Sequence, residues 1–177
     1  MFSLEKQRFS EALLSQLDSI YNFARWLTKD ADEAKDLVHE VVARVYLNGN
    51  FSIPRSEIKA YLFKIIRTTQ INRFRRMRYE VTSLGYPEND TVLTSSAESS
   101  GPDSLDPELV QRDMNKAREI ISVDLRAIFI LADIEGFTSR EIAEIEGMPV
   151  GTVKSRLRKA RHAVRHFLRT YHEKKVK

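Results

Sequence analysis

The stretch from Thr138 to Arg161, TSREIAEIEGMPVGTVKSRLRKAR, constrains the fold most tightly, because it reads as two helices joined by a sharp turn. Thr138 is placed to cap the first helix, and Glu141, three residues on, is placed to accept from the Thr138 backbone N–H in return, the reciprocal capping box. Ile142, Ala143 and Ile145 give that helix a buried side. Gly147 falls where a left-handed terminating residue is wanted, and Pro149 has the backbone angle suited to a first helical turn. From Val150 onward, Val153, Leu157, Ala160 and Val164 recur on one helical face, while Lys154, Ser155, Arg156, Arg158, Lys159 and Arg161 occupy the others. This is the pattern of a helix-turn-helix whose second helix fits a major groove.

A basic amphipathic helix after a turn is also what a plain solvated face looks like. The capping box, the placement of Gly147 and Pro149, and the small Gly151 and Thr152 at the helix start favour the DNA-binding reading.

A chain of 177 residues has room for one medium domain or two small ones with real cores. The net charge of +4 is modest, so only its distribution is informative. With no cysteine, a disulfide scaffold, thiol catalysis, a Cys-based zinc site and a thiol redox switch are all excluded. No apolar run is long enough to cross a bilayer and the opening MFSLEKQRFSEALL lacks a signal-peptide core, so a cytoplasmic protein with no membrane insertion is expected.

Leu13, Leu14, Leu17, Ile20, Tyr21, Ala24 and Leu27 form the apolar stripe of a first helix expected over about Glu5 to Thr28. Asp30 offers a new N-cap with Glu33 three positions later, and a second helix follows with Ala34, Leu37, Val38, Val41, Val42, Val45 and Tyr46 inward. Lys35, Asp36, His39, Glu40 and Arg44 lie opposite, a solvent face or a partner surface, and Asn48-Gly49-Asn50 ends the helix. Pro54 interrupts the connector. A third helix is predicted over about Ser56 to Arg78, its first half supplying Ile58, Tyr61, Leu62, Ile65 and Ile66 to a three-helix core. Its second half is cationic, with Lys64, Arg67, Arg73, Arg75, Arg76 and Arg78 interleaved with Tyr61, Phe63, Phe74 and Tyr79. Cations that follow phosphates beside aromatics that stack on exposed bases suit single-stranded nucleic acid; the plainer reading is a solvated helix end whose aromatics are core.

Composition shifts after Tyr79: Glu80 to Gln111 carries Glu88, Asp90, Glu98, Asp103, Asp106 and Glu108, three prolines, and no Lys or Arg. Such a segment cannot bury enough apolar surface to fold alone and reads as a flexible acidic tether. Being acidic between two basic modules, it lets the chain bind nucleic acid at two places or fold the tether over one module, and attraction at physiological salt is expected to hold the free protein compact with its DNA surfaces partly masked. In the second module Leu109, Met114, Ala117, Ile120 and Ile121 suggest one helix, and Ser122 is placed to cap the next, with Leu125, Ile128, Phe129, Leu131 and Ala132 inward and Gly136 closing it. The expected architecture is therefore all-α: a first helical domain over residues 1–79, a linker over 80–106 and a second helical domain over 107–177.

YNFARWLTKDADEAKDLVHEVVARVY followed by FSIPRSEIKAYLFKIIRTTQINRFRRMR resembles region 2 of a bacterial RNA polymerase sigma factor, and DLRAIFILADIEGFTSREIAEIEGMPVGTVKSRLRKARHAV resembles region 4. With only a linker between them, the chain is similar to the short extracytoplasmic-function (ECF) group. The resemblance implies a polymerase subunit that binds core enzyme, directs it to promoters and promotes melting, without chemistry or a cofactor of its own. It further implies that Asp36, Leu37, His39 and Glu40 dock on the clamp helices of the largest subunit, and that the flap of the second-largest subunit is a further contact on core. Tyr61, Lys64, Arg67, Thr68, Arg73, Arg75 and Arg76 would hold the promoter strand at the minus-ten element. Thr152, Lys154, Ser155, Arg156, Arg158, Lys159 and Arg161 would read and clamp the minus-thirty-five element, phosphate contacts giving most of the affinity and a few side chains the specificity. An anti-sigma factor is the regulatory partner implied.

The chain departs from the family pattern at Thr68, where Asn is usual at the base-capturing position, at Asn72, where Asp is common, at Lys35, where an acidic residue is common, and at Ile121-Ser122 in place of Leu-Pro. Two other classes compete. A helix-turn-helix regulator that is no polymerase subunit would not need the separate basic-aromatic helix. An enzyme would need a site, and the sequence has no phosphate-binding Gly-rich loop; the one metal-like spacing, His162 with His166, lacks a third ligand.

Overall fold

The computed structural model describes residues 2–28, 30–48, 51–83 and 121–175. Among these the chain forms seven α-helices and no strand. They are α1 (Phe2–Ser15), α2 (Leu17–Leu27), α3 (Ala31–Asn48), α4 (Arg55–Ser83), α5 (Val123–Phe129, continuing as a π-helical turn over Ile130–Ile134), α6 (Ser139–Glu146) and α7 (Val150–Lys175).

The single first helix expected from the sequence is two. The Ser15 hydroxyl donates to the Ala12 carbonyl at 2.7 Å and Gln16 N–H reaches back only to Leu13, so the helix tightens and restarts at Leu17. Both halves then turn a buried stripe inward: Phe9, Ala12 and Leu13 from α1; Ile20, Phe23, Ala24 and Leu27 from α2. Leu14, expected in that stripe, is instead 61% exposed, because its neighbours at 12 and 13 define the inward side.

α3 starts as the sequence predicts. Asp30 Oδ1 accepts from the backbone N–H groups of Asp32 and Glu33 at 2.9 and 2.8 Å, satisfying two donors that a helix start leaves open. Ala34, Leu37, Val38, Val41 and Val45 are buried, and the Tyr46 hydroxyl donates to Ser10 Oγ at 2.8 Å to tie α3 to α1. α4 begins directly after Pro54 and runs to Ser83, past the boundary expected at Tyr79. It packs on α1, α2 and α3, burying Ile58, Leu62 and Ile66.

In the second module Ser122 occupies the N-cap position of α5, but its side chain makes no cap hydrogen bond; the turn is held by Arg126 N–H donating to the Ser122 carbonyl at 3.0 Å. The π turn ends with Glu135 N–H donating to the Ile130 carbonyl, and Gly136 follows with φ +77°. The helix-turn-helix then forms as read. The Thr138–Glu141 capping box is complete, Gly147 is left-handed at φ +64°, and Met148 N–H donates back to the Ala143 carbonyl at 3.1 Å, which closes α6. The Pro149 carbonyl accepts from Thr152 and Val153 to open α7, whose Val153, Leu157 and Ala160 are buried.

The two modules share one hydrophobic core. α4 packs on α6 and α2 on α5, and the buried cluster runs without a break from Phe9 through Phe63 to Ile142 and Leu157. The helix expected around Leu109 to Ile120 and nearly all of the expected tether lie outside the described residues.

Candidate nucleic-acid interface

On α7 the apolar seam at Val153, Leu157 and Ala160 fixes the helix against α5 and α6 and turns the cations outward. Lys154, Ser155, Arg158, Lys159 and Arg161 are exposed, and Thr152 and Arg156 are half-buried. The Ser155 hydroxyl donates to the Thr152 carbonyl at 2.9 Å, which leaves its lone pairs outward. Arg161 is held by a two-point contact with Asp133 on the π turn, Nε to Oδ2 at 3.0 Å and a terminal nitrogen to Oδ1 at 2.6 Å, so its guanidinium is oriented before any ligand arrives. Arg158, Lys159 and His162 border a shallow open depression beside it. His162 and His166 are both exposed, and among the described residues no group of three or more His, Cys, Asp or Glu could hold a metal ion.

α4 divides its expected nucleic-acid residues between two environments. Lys64, Thr68, Arg75 and Arg76 are exposed, and Tyr61 is half-buried. The Thr68 hydroxyl donates to the Lys64 carbonyl at 2.8 Å, as a mid-helix threonine does when it points along its own helix. Arg73 leans onto α3, Nε donating to Glu40 Oε2 at 2.7 Å and a terminal nitrogen to the Asp36 carbonyl at 3.0 Å. Phe74 and Tyr79 remain open to solvent, at 44% and 77% exposure. Phe63, read from the sequence as one of the interleaved aromatics, is wholly buried instead, its ring 5.0 Å from that of Phe23 and 5.3 Å from that of Phe137.

Arg67 is the largest departure. Only 3% exposed, it faces the second module, where Nε donates to both Glu146 oxygens at 2.9 and 3.0 Å while its terminal nitrogens reach Gln70 and Asp124. Burial pushes the Glu146 carboxyl above the usual carboxylate range, with the Arg67 charge and hydrogen bond opposing it. Lys59 makes a second bridge between the modules, its ammonium 3.1 Å from Glu135 and donating to the Glu135 carbonyl at 2.9 Å while lying over the Phe137 ring.

On α3, Asp36 and His39 are exposed, and Glu40 is half-buried between Arg44 at 3.0 Å and Arg73. Leu37 does not belong to this face: at 0% exposure it is part of the core, because it falls in step with Ala34, Val38, Val41 and Val45. Lys35 is exposed and pairs with Asp32 at 3.1 Å, which raises its pKa.

Comparison with known proteins bears on both modules. Residues 13–79 match the family described as sigma-70 region 2, and residues 121–164 match sigma-70, region 4. The ECF RNA polymerase sigma factor EcfG of Rhodopseudomonas palustris is 30% identical over 149 residues, covering 84% of this chain and 78% of its own. The chain belongs to the ECF RNA polymerase sigma factors.

The ECF sigma factor SigW of Bacillus subtilis is 26% identical over 175 residues, 93% of this chain and 91% of that one. Among solved structures, the sigma factor RpoE in complex with the anti-sigma factor NepR from Bartonella quintana superposes with a TM-score of 0.72 at 28% identity, covering 92% of this chain and 98% of that one. CnrH in complex with the cytosolic domain of CnrY has the same fold, with a TM-score of 0.61 at 16% identity over 93% of this chain and 90% of that one. As a member of this family, the protein directs RNA polymerase to promoters. No helix among the described residues of this sigma factor is long and apolar enough to cross a membrane.

What the sequence alone missed in this sigma factor is the junction between regions 2 and 4. The signal was present as Phe63 and Arg67, four residues apart on α4 and off the Ile58–Leu62–Ile66 stripe. Their partners Phe137, Glu146 and Asp124 are too distant in the chain for local spacing to reveal.

Proposed function

We propose that this sigma factor engages promoter DNA through two separate cationic helices and docks on polymerase core through α3. Lys64, Thr68, Arg75 and Arg76, with Tyr61 and Arg73 behind them, contact the minus-ten strand, while Phe74 and Tyr79 supply faces for unstacked bases. Thr152, Lys154, Ser155, Arg156, Arg158, Lys159 and Arg161 contact the minus-thirty-five element, and Asp36, His39 and Glu40 meet the clamp helices. The observation that carries this reading is that two basic surfaces stand on different modules of one chain, which a regulator using a single helix-turn-helix does not need. The work is done by binding: contacts stronger to melted than to duplex DNA shift that equilibrium without chemistry in this chain. Such a protein acts in the cytoplasm, and an anti-sigma factor is its expected inhibitor, since the RpoE and CnrH structures it resembles are complexes, the first with the anti-sigma factor NepR and the second with the cytosolic domain of CnrY.

Run-off transcription with purified core polymerase, followed by footprinting of the promoters found, tests the reading. Lys154→Ala and Arg156→Ala each weaken protection of the upstream element, by about 1–3 kcal/mol where a base contact is lost. Unchanged upstream footprints in both variants refute the minus-thirty-five assignment, and absence of any promoter-specific transcript with the wild-type protein refutes the reading as a whole.

A further inference from the structure

Arg67 combines features that a surface cation on a DNA-binding helix does not need. Its guanidinium fork is filled by Glu146, Asp124 and Gln70, and its side chain and that of Glu146 are only 4% and 1% exposed. Glu146 is the last residue of α6, where the helix dipole disfavours a carboxylate, and α6 carries no basic residue in its last turn. On its own module this buried carboxylate is therefore badly placed, and Arg67 from the other module compensates it. Where a residue breaks the local rules of its own helix, a role beyond stability is the reasonable reading.

We propose that Arg67 is a two-position latch: bound to Glu146 and Asp124 it holds regions 2 and 4 together and withdraws its charge from the DNA surface of α4, and released it returns that charge beside Lys64 and Thr68. This rests on the reading of α4 as the minus-ten surface. Closure and promoter engagement then compete for the same guanidinium. The polar contacts around Arg67 are the part of the junction that favours parting. A buried ion pair adds little net stability because desolvation offsets its attraction, while it fixes register firmly. Gln70 Nε2 is buried with no hydrogen-bond partner among the described residues, a cost that opening to water removes. Asp124, the outer partner, is about half exposed and gives solvent a route to the pair.

The absence of cysteine allows two labels to be introduced cleanly, at the exposed positions Ala43 and Arg140 on the two modules. In the full-length Ala43→Cys, Arg140→Cys protein, spin-label distances report closure, and core-free binding to promoter DNA with a melted minus-ten segment reports access. Wild type gives a short distance that lengthens when this DNA is saturating. Glu146→Gln, which keeps the shape and removes the charge, shifts the free protein to the long distance and tightens core-free binding about tenfold, the factor by which the closed state had reduced the competent fraction. Glu144→Gln, an exposed neighbour on the same helix, changes neither. If Glu146→Gln loses helicity, Asp124→Asn at the open end of the pair takes its place, with a several-fold gain expected. A short distance and unchanged affinity in the folded variant overturn the latch, as does saturating DNA that leaves the wild-type distance short. Run-off by wild-type holoenzyme is the separate control: transcription that persists while the latch fails leaves the promoter reading standing, and its loss removes that reading whatever the distances show.

Discussion

Replacing Thr138 by Ala removes one oxygen that makes two hydrogen bonds in one turn. Thr138 Oγ1 accepts from Glu141 N–H at 3.3 Å and donates to Glu141 Oε2 at 2.7 Å; the bond from residue 138 N–H to the same carboxylate, also 2.7 Å, survives. The turn is exposed, so the freed N–H is rehydrated and the loss is that of an N-cap, about 1 kcal/mol. How far the melting temperature moves depends on what unfolds with α6. Because Ile142 and Ile145 belong to the core that also holds Phe63 and Ile66, the two modules should melt as one unit. A unit of that size shifts by about 2–4 °C per kcal/mol, against about 4–8 °C for a domain of 60–100 residues. Thermal scans by circular dichroism should show one transition lowered by about 2–4 °C. Two transitions, with only one displaced and by the larger amount, would refute the shared core.

The same turn has a pH signature. The Thr138 hydroxyl hydrogen bond, then the Thr138 backbone N–H, hold the Glu141 carboxyl below the usual glutamate range, with a smaller contribution from the Lys59 charge. A carboxylate depressed in the folded state contributes stability that is present above its unfolded value, about 4.3, and is lost as pH falls through the folded value. Glu141→Gln should therefore destabilise at pH 7 and converge on wild type only as pH falls through the folded value, below the usual glutamate range, where the wild-type carboxyl is itself protonated. An equal gap at both ends of the titration refutes the carboxylate's part in the cap.

Asp36→Arg reverses an exposed charge on α3 while leaving in place the backbone carbonyl that Arg73 uses, so core-polymerase binding in a pull-down should fall with helicity unchanged; undiminished core affinity removes the clamp assignment. Arg73→Ala cuts the tie from α4 to Glu40 and should cost about 1–2 kcal/mol in urea melts, as loss of a half-buried charge-assisted bond does; a change under a few tenths would mean the tie carries no stability.

Features set by neighbours a few residues apart were legible in the sequence. The Thr138–Glu141 box, left-handed Gly147, the Asp30 cap and the α3 stripe all obey rules that act over three or four residues, and the structure contains each. The break at Ser15 was hidden because the apolar stripe keeps its spacing across it. Leu37 was legible as core from its period, and the resemblance alone put it on the partner face. Phe63 and Arg67 failed for a different reason: periodicity identifies one buried face, and α4 has two, the second covered by partners 79 residues further along for Arg67 and Glu146. Charge along a sequence also cannot separate a cation that meets solvent from one that meets a buried carboxylate.

That double burial bears on how one helix serves two ends. The first half of α4 is committed on both sides, to α1–α3 through Ile58, Leu62 and Ile66 and to the second module through Lys59, Phe63 and Arg67. Of its other expected contacts, Lys64, Thr68, Arg75 and Arg76 stay exposed whether or not the modules touch, so closure removes one cation rather than a field. Long-range attraction of the closed chain to DNA is then nearly intact, since it depends on total charge within a Debye length of about 8–10 Å. What closure does limit is geometry, because α7 is fixed relative to α4 for as long as α6 is held on α4. Only when Arg67 leaves Glu146 are the two surfaces free to adopt the separation that two promoter elements impose, which makes the competition between latch and DNA a control on specificity more than on attraction.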